Sequence, residues 1–272
     1  MKIALAFFGQ PRGLNVEHVM GQWEHIVSNS WHDIDVYAHF WDTMSNTKVS
    51  ETYEQFVVEE KVESETYFTN FFNTLNPLSV EIQGSNVLDE LSWKYFHWNR
   101  SIYKRVDPGI PSTGRATLGQ WYSTERVLTT IADSENDYDF VVRIRPDVLF
   151  LDGTNPYYFD DNIINNFARR RPGYRAVGTS SMSVIKGTPV AGDWWTVMSG
   201  DFVKEFSEGL TAALAVQFNA IFSEPLDPYS VQENAFHRHL IKHNIDAMSV
   251  MCDSKIYRED DEDRWNWPNF TQ

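Results

Sequence analysis

The stretch Tyr138-Asp139-Phe140-Val141-Val142-Arg143-Ile144-Arg145-Pro146-Asp147-Val148-Leu149-Phe150 decides the fold. It opens as a β-strand and must stop near Pro146, because proline has no N–H to give to a central ladder. Side chains alternate along a strand, so Val141, Arg143 and Arg145 share one face while Phe140, Val142 and Ile144 take the other. Asp147 continues the arginine side where the chain stays extended. Two cations and an anion therefore gather at the carboxyl end of a strand, which is where open α/β sheets bind their ligands.

Working outward, Ile3–Phe8 is short, uniformly apolar and closed by Gly9-Gln10-Pro11-Arg12-Gly13, the pattern of a parallel strand buried on both faces. An amphipathic stretch from Leu14 to Val27 and a second strand, Ile34–Phe40, complete a strand–helix–strand unit. Its crossover makes the two strands parallel. Residues 42–105 are less regular: an acidic amphipathic stretch (Tyr53–Val62), a strand at Leu78–Gln83, and an aromatic helix with Trp93, Phe96, Trp98 and Tyr103. Asp107–Gly114, with two prolines and two glycines, reads as a loop. A helix follows over Thr117–Ala132, where Leu118, Trp121, Tyr122, Glu125, Leu128 and Ile131 recur near a 3.6 period. Further strands are expected at Ala176–Thr179 and Met182–Ile185, a helix after Asp201, and a last helix from Ser230 to His243. The expectation is an α/β protein: a three-layer α/β/α, Rossmann-like arrangement on a mixed, mostly parallel sheet. It forms one domain over 1–272, with an insertion around 42–115.

The chain has 272 residues, 42% of them apolar and 15% aromatic, which is globular composition with a sizeable core. Its 23 Lys+Arg stand against 38 Asp+Glu, a net charge of −15 that repels polyanions and argues against sequence-independent nucleic-acid binding. No apolar run approaches the ~18–20 residues that span a bilayer, and the opening run breaks too early for a signal peptide. The expected location is the cytoplasm. A single cysteine, Cys252, excludes an intramolecular disulfide and any cysteine-based zinc site.

The chemistry follows from residue type and place. An arginine on a central strand needs an anion, and its planar fork suits phosphate or carboxylate oxygens. The partner of Arg143 and Arg145 is either a ligand phosphate or an internal carboxylate such as Asp147. A carboxylate after a strand also suits a divalent cation that bridges a diphosphate. Gly192-Asp193-Trp194-Trp195 offers indole platforms for sugar faces beside a carboxylate that accepts hydroxyls, or else two core tryptophans after a turn. Ser230-Val231-Gln232-Glu233 matches a capping box. His39 and Asp42 stand at the end of the second strand on the ligand side, as pocket lining or as a solvated turn, and His239 and His243 stand one turn apart on the last helix, as a pair that shares a metal with Asp147 or as ordinary exposed or core histidines. The acidic run Glu259–Asp263 reads as a solvated tail.

Five pieces in order resemble nucleotide-sugar glycosyltransferases of the GT-A fold, most like the group found in surface-glycan gene clusters and in genomes of large phages and algal viruses. They are Gly9-Gln10-Pro11-Arg12, Asp35-Val36-Tyr37-Ala38-His39-Phe40-Trp41-Asp42 with the helix of Gln120 and Tyr122, Tyr138–Asp147, Asp193–Ser199, and Glu233–Leu240. The resemblance implies a transferase that takes a sugar from a nucleotide-sugar donor to a hydroxyl of a glycan or other acceptor, in the host cytoplasm if the source is viral. It implies donor contacts from Gly9, Gln10, Pro11, Arg12, Arg143, Arg145 and Asp147, a sugar or acceptor platform at Trp194 and Trp195, and Asp193 or Glu233 as the acid–base group. The family binds Mn or Mg through an Asp-x-Asp signature. Here Arg145-Pro146-Asp147 stands in its place, so Asp147 is the one metal ligand left and metal dependence is open. The rival readings are a non-catalytic carbohydrate-binding protein and a nucleotidyl- or phosphotransferase. The second normally carries a glycine-rich phosphate loop, and this sequence shows none.

Overall fold

A computed structural model describes residues 1–49, 55–62, 64–96, 113–150, 155, 157–180, 182–185, 188–192, 194–222, 231–250 and 254–256. The strands in the first half are β1 (Lys2–Gly9), β2 (Asp33–Trp41), β3 (Thr43–Val49), β4 (Gln55–Lys61), β5 (Ser79–Gln83), β6 (Phe140–Ile144) and β7 (Val148–Phe150). Those in the second half are β8 (Ala176–Thr179), β9 (Met182–Ile185), β10 (Thr188–Ala191), β11 (Trp195–Ser199), β12 (Asp246–Ser249) and β13 (Ser254–Ile256). The main sheet runs β12-β8-β11-β6-β1-β2-β5, and three antiparallel pairs (β3–β4, β7–β13, β9–β10) flank it. β1 is parallel to β2 and β6, β2 to β5, and β8 to β12. Only β11 runs the other way, against both β6 and β8. The sheet is thus mixed and mostly parallel, as the sequence implies, and β1, β2, β5 and β6 all end at one edge.

Helices cover both faces: α1 (Glu17–Asn29), α2 (Ser64–Leu75), α3 (Asn86–Phe96), α4 (Thr113–Ala132), α5 (Asn166–Arg170), α6 (Val203–Ser207), α7 (Leu210–Phe222) and α8 (Val231–Lys242). One core layer takes Ile3, Leu5 and Phe7 of β1 with Phe140, Val142 and Ile144 of β6, and closes them under α1, α2 and Phe167 of α5. The other takes Ala4, Ala6, Phe8 and Val141 under α3, α4, α6, α7 and α8. The period of two in β6 thus sorts its residues between the layers as the alternation requires. Aromatic edges lock the first layer: Phe7 meets Trp23 at 4.9 Å and Phe71 at 5.6 Å between ring centres, both T-shaped.

Several boundaries differ from the sequence expectation for visible reasons. The first helix starts at Glu17 rather than Leu14, because Leu14 N–H bonds to Pro11 C=O and Val16 N–H to Gly13 C=O in two successive turns. The Tyr53–Val62 stretch supplies β4, paired with β3, and the region 42–115 also builds the edge strand β5 of the main sheet. The aromatic helix covers Trp93 and Phe96 as α3, whereas Trp98, Tyr103 and residues 107–112 lie outside the described residues. α4 begins at Thr113, four residues before the expected Thr117. The helix after Asp201 is two, because Gly209 at φ +67° takes the left-handed conformation that ends one and lets the next begin.

The amino end of the sheet is held by a polar network. Lys2 pairs with Asp35 at 3.1 Å, Tyr138 donates to Asp35 at 2.8 Å and lies 2.8 Å from the Tyr37 hydroxyl, and Asp139 accepts the Lys2 amide at 2.7 Å. Burial and these hydrogen bonds raise the Tyr138 pKa, so it stays a phenol. Among the described residues no helix is long and apolar enough to cross a membrane. Removing the ring that joins β1 to α1 and α2 tests the layer directly: Phe7→Ala should cost ~3–5 kcal/mol in urea unfolding with an unchanged slope. A cost under ~1 kcal/mol would show that Phe7 is not part of a packed core.

Candidate active site at the carboxyl ends of the parallel strands

Arg145, Pro146, Asp147 and Val148 form a turn closed by Val148 N–H to Arg145 C=O at 3.2 Å. Pro146 holds its second position, the place proline's fixed φ favours. Helix α1 grips this turn through two buried polar groups. Trp23 Nε1 donates to Pro146 C=O at 2.9 Å; Gln22 donates to Val148 C=O at 3.1 Å and accepts Phe150 N–H at 2.7 Å. Across the turn the Arg145 fork chelates Asp147, Nε to Oδ1 at 2.9 Å and Nη2 to Oδ2 at 2.6 Å. The Asp147 side chain is 1% exposed and that of Arg145 22%, so the carboxylate is sealed while the guanidinium reaches the surface.

Arg143, 2% exposed, lies on the other side of the strand end with its guanidinium 4.2 Å over the Phe8 ring and 5.9 Å from Phe236 of α8. Glu233 sits one turn before Phe236, toward the amino end of α8. That end points to the same sheet edge, because α8 precedes β12, which runs with β6. Trp194 is next to Arg145 through the backbone: its carbonyl accepts the Arg145 amide at 3.1 Å, and the residue is half-buried, packed against the first core layer.

The loop after β1 is positioned by one hydroxyl. Gly9 has φ +97°, which favours glycine, and its N–H donates to Ser123 Oγ of α4 at 2.7 Å. Ser123 donates its own proton to His39 C=O at 2.7 Å, so His39 Nδ1, 2.8 Å from the same oxygen, must be the donor there. Burial drives the His39 pKa down to about 4, with Arg126 pushing the same way and Glu81 opposing. The ring is neutral, is 1% exposed and packs edge-on against Trp41 and Tyr122. Pro11 is buried, and Gln10 and Arg12 are partly exposed beside it.

The strand ends thus bring together Gly9–Arg12, Arg143, Arg145, Asp147 and Trp194, with Glu233 on the adjoining helix. Other expected residues fall elsewhere. Trp195 is 0% exposed in the first core layer, so it is no sugar platform; its place in β11 turns it into the sheet's interior. Asp42 accepts Ser85 N–H at 2.8 Å, holding the β5–α3 turn. His239 lies ~9 Å along α8 from Glu233 and His243 just past the helix's last residue, their rings 4.5 Å apart, and among the described residues they form no cluster with Asp147. Asp193, Ser230, Cys252 and 259–263 lie outside the described residues. Sequence reasoning missed Ser123, Gln22 and the Trp23 indole; the one available signal was a polar residue within each helix's apolar stripe.

A divalent cation does not fit Asp147 as it stands. Both of its oxygens are clamped by Arg145, and among the described residues no group of three or more His, Cys, Asp or Glu converges. The metal expected at Asp147 would have to displace the guanidinium.

No family model and no curated protein matches the chain. Glycosyltransferases are among the solved structures it resembles. Mouse xyloside xylosyltransferase 1, in its apo form, aligns at 8% identity and TM-score 0.41 over 92% of this chain and 85% of that one. An active-site mutant of LgtC gives 12%, 0.38, 92% and 72%, and the glycosyltransferase GlyE of Streptococcus pneumoniae TIGR4 gives 7%, 0.40, 91% and 44%. These are likenesses of shape, and the chemistry rests on the side chains above.

His39 and His239 are both held near pKa 4, chiefly by burial. The unfolded chain binds their protons first, so stability is lost as pH falls from 6.5 toward 4, by up to ~1.4 kcal/mol per pH unit for each group. Urea unfolding between pH 7 and 4.5 should show this slope, and His39→Gln should reduce it. An unchanged slope in the variant would mean that His39 is solvated.

Proposed function

We propose that the chain is a glycosyltransferase moving a sugar from a nucleotide-sugar donor to a hydroxyl of a glycan or other acceptor, as one GT-A-like unit over 1–272 working in the cytoplasm. The observation that carries it is the Arg145 fork, set rigidly at the carboxyl end of β6 beside the Gly9–Arg12 loop and next to Trp194 through the backbone. A guanidinium there suits phosphate oxygens, the indole of half-buried Trp194 suits a sugar face, and the sequence resemblance supports the same reading. The carbohydrate-binding rival loses ground, because Trp23, Trp41, Trp121 and Trp195 are buried in the cores rather than offered to a glycan.

In the reaction the acceptor oxygen forms a bond to the anomeric carbon of the donor, and the bond from that carbon to the phosphate oxygen breaks. The electron pair leaves with the diphosphate, and the acceptor's proton passes to a carboxylate. Glu233 and Asp193 are the candidates for that base, Glu233 being the one that α8 brings to the sheet edge.

Two outcomes test this. In a melting-temperature panel of UDP-, GDP-, dTDP- and CMP-sugars with Mn or Mg present, one nucleotide class at ~100 times its dissociation constant should stabilise the fold by ~2.7 kcal/mol, at ~2–4 °C per kcal/mol. No shift with any donor would contradict the reading. With that donor, Glu233→Gln should lower turnover ~10²–10⁴-fold while leaving the shift in place; full turnover in this variant would move the base to Asp193.

A further inference from the structure

We infer that the Arg145 guanidinium occupies the role a divalent metal would play toward the donor diphosphate, and that Asp147 is a positioning residue for it. The inference rests on the glycosyltransferase reading and adds that nucleoside diphosphate binding here is metal-independent. Three observations carry it. First, the carboxylate that would hold a cation has both oxygens engaged, at 2.9 and 2.6 Å, by Arg145 Nε and Nη2. Second, exposure is split between the partners: Asp147 is 1% exposed and Arg145 22%, so the positive member is the one that solvent reaches. Third, the turn is clamped from behind by Trp23 and Gln22 of α1, which fixes the fork before any ligand binds.

The geometry of a guanidinium completes the argument. It carries five N–H donors in a plane, and the edge formed by Nε and Nη2 serves Asp147. The Nη1 side of the group then faces away from the carboxylate that Nε and Nη2 engage. Asp147 cancels part of the arginine's charge, so it tunes as well as orients, and Arg143, stacked on Phe8 at the other side of the strand end, adds a second cation to that end of the sheet. When the bond from the anomeric carbon to oxygen breaks, its electron pair stays on the terminal phosphate oxygen, and N–H groups of Arg145 stabilise that charge without a co-reactant.

The two roles of Asp147 predict opposite signs. A metal ligand cannot lose its charge without losing nucleotide affinity. A positioning residue that partly neutralises Arg145 leaves, on Asp147→Asn, a more positive site. The experiment is calorimetric titration of UDP, GDP and dTDP into the full chain, first with Mn or Mg and then in EDTA, for the wild type, Asp147→Asn, Arg145→Lys and Arg145→Asp. Arg145→Lys keeps the charge and avoids leaving Asp147 buried beside a neutral side chain, and Arg145→Asp recreates two carboxylates around Pro146.

The inference expects wild-type affinity within twofold with and without metal, and about threefold tighter binding by Asp147→Asn. It also expects binding at least fivefold weaker in Arg145→Lys, and recovery of binding by Arg145→Asp only when Mn or Mg is present. Binding that disappears in EDTA and in Asp147→Asn would overturn the inference and leave the transferase reading standing. No nucleoside diphosphate binding in any condition would overturn both.

Discussion

A hydroxyl has one proton and two lone pairs, and Ser123 on α4 uses all of them. It accepts from Gly9 N–H, donates to His39 C=O and accepts from His39 Nδ1. These bonds tie the last residue of β1, the end of β2 and the helix above them into one unit, in a site shielded from water where a lost bond is expensive. Gly9 is thereby held at φ +97°, and the direction of the loop to Arg12 follows. Neighbouring β6 ends in the Arg145–Val148 turn, which α1 grips from the opposite layer. Helices from both faces of the sheet therefore fix the same edge, each through buried polar atoms rather than apolar packing alone.

The two edges of the sheet use their charges differently. At the amino end Lys2, Asp35, Tyr138 and Asp139 satisfy one another, and the network closes the strands. At the carboxyl end Arg145 is chelated by Asp147 and its side chain stays 22% exposed, while Arg143 is stacked on Phe8. Of the two partners the arginine pair calls for, the internal carboxylate is the one in place on Arg145. A neutral His39 beside Trp41 and Tyr122 adds a rigid, uncharged wall near the ends of β1 and β2.

The sheet was legible because its signals are local. Ile3–Phe8 had no polar face to give to solvent, Pro146 stopped β6, and the period of two in Phe140–Ile144 sorted residues between layers as observed. What was hidden depends on contacts distant in sequence. Trp194 and Trp195 look alike in the chain, but β11 pairs Trp195 with Ile144 inside the sheet, while Trp194 falls just beyond the strand. The chelation of Asp147 by Arg145 depends on a turn whose geometry α1 imposes from more than a hundred residues away. Ser123 looked like any helical serine until the strand ends were in place above it.

The most direct measurement is a crystal structure of the full chain with a nucleoside diphosphate of the class that stabilises it. The account predicts phosphate oxygens within hydrogen-bonding distance of the Arg145 guanidinium at the end of β6, and the nucleoside against the Gly9–Arg12 loop. A diphosphate bound away from these strand ends, with the Arg145–Asp147 chelate untouched by ligand, would contradict it.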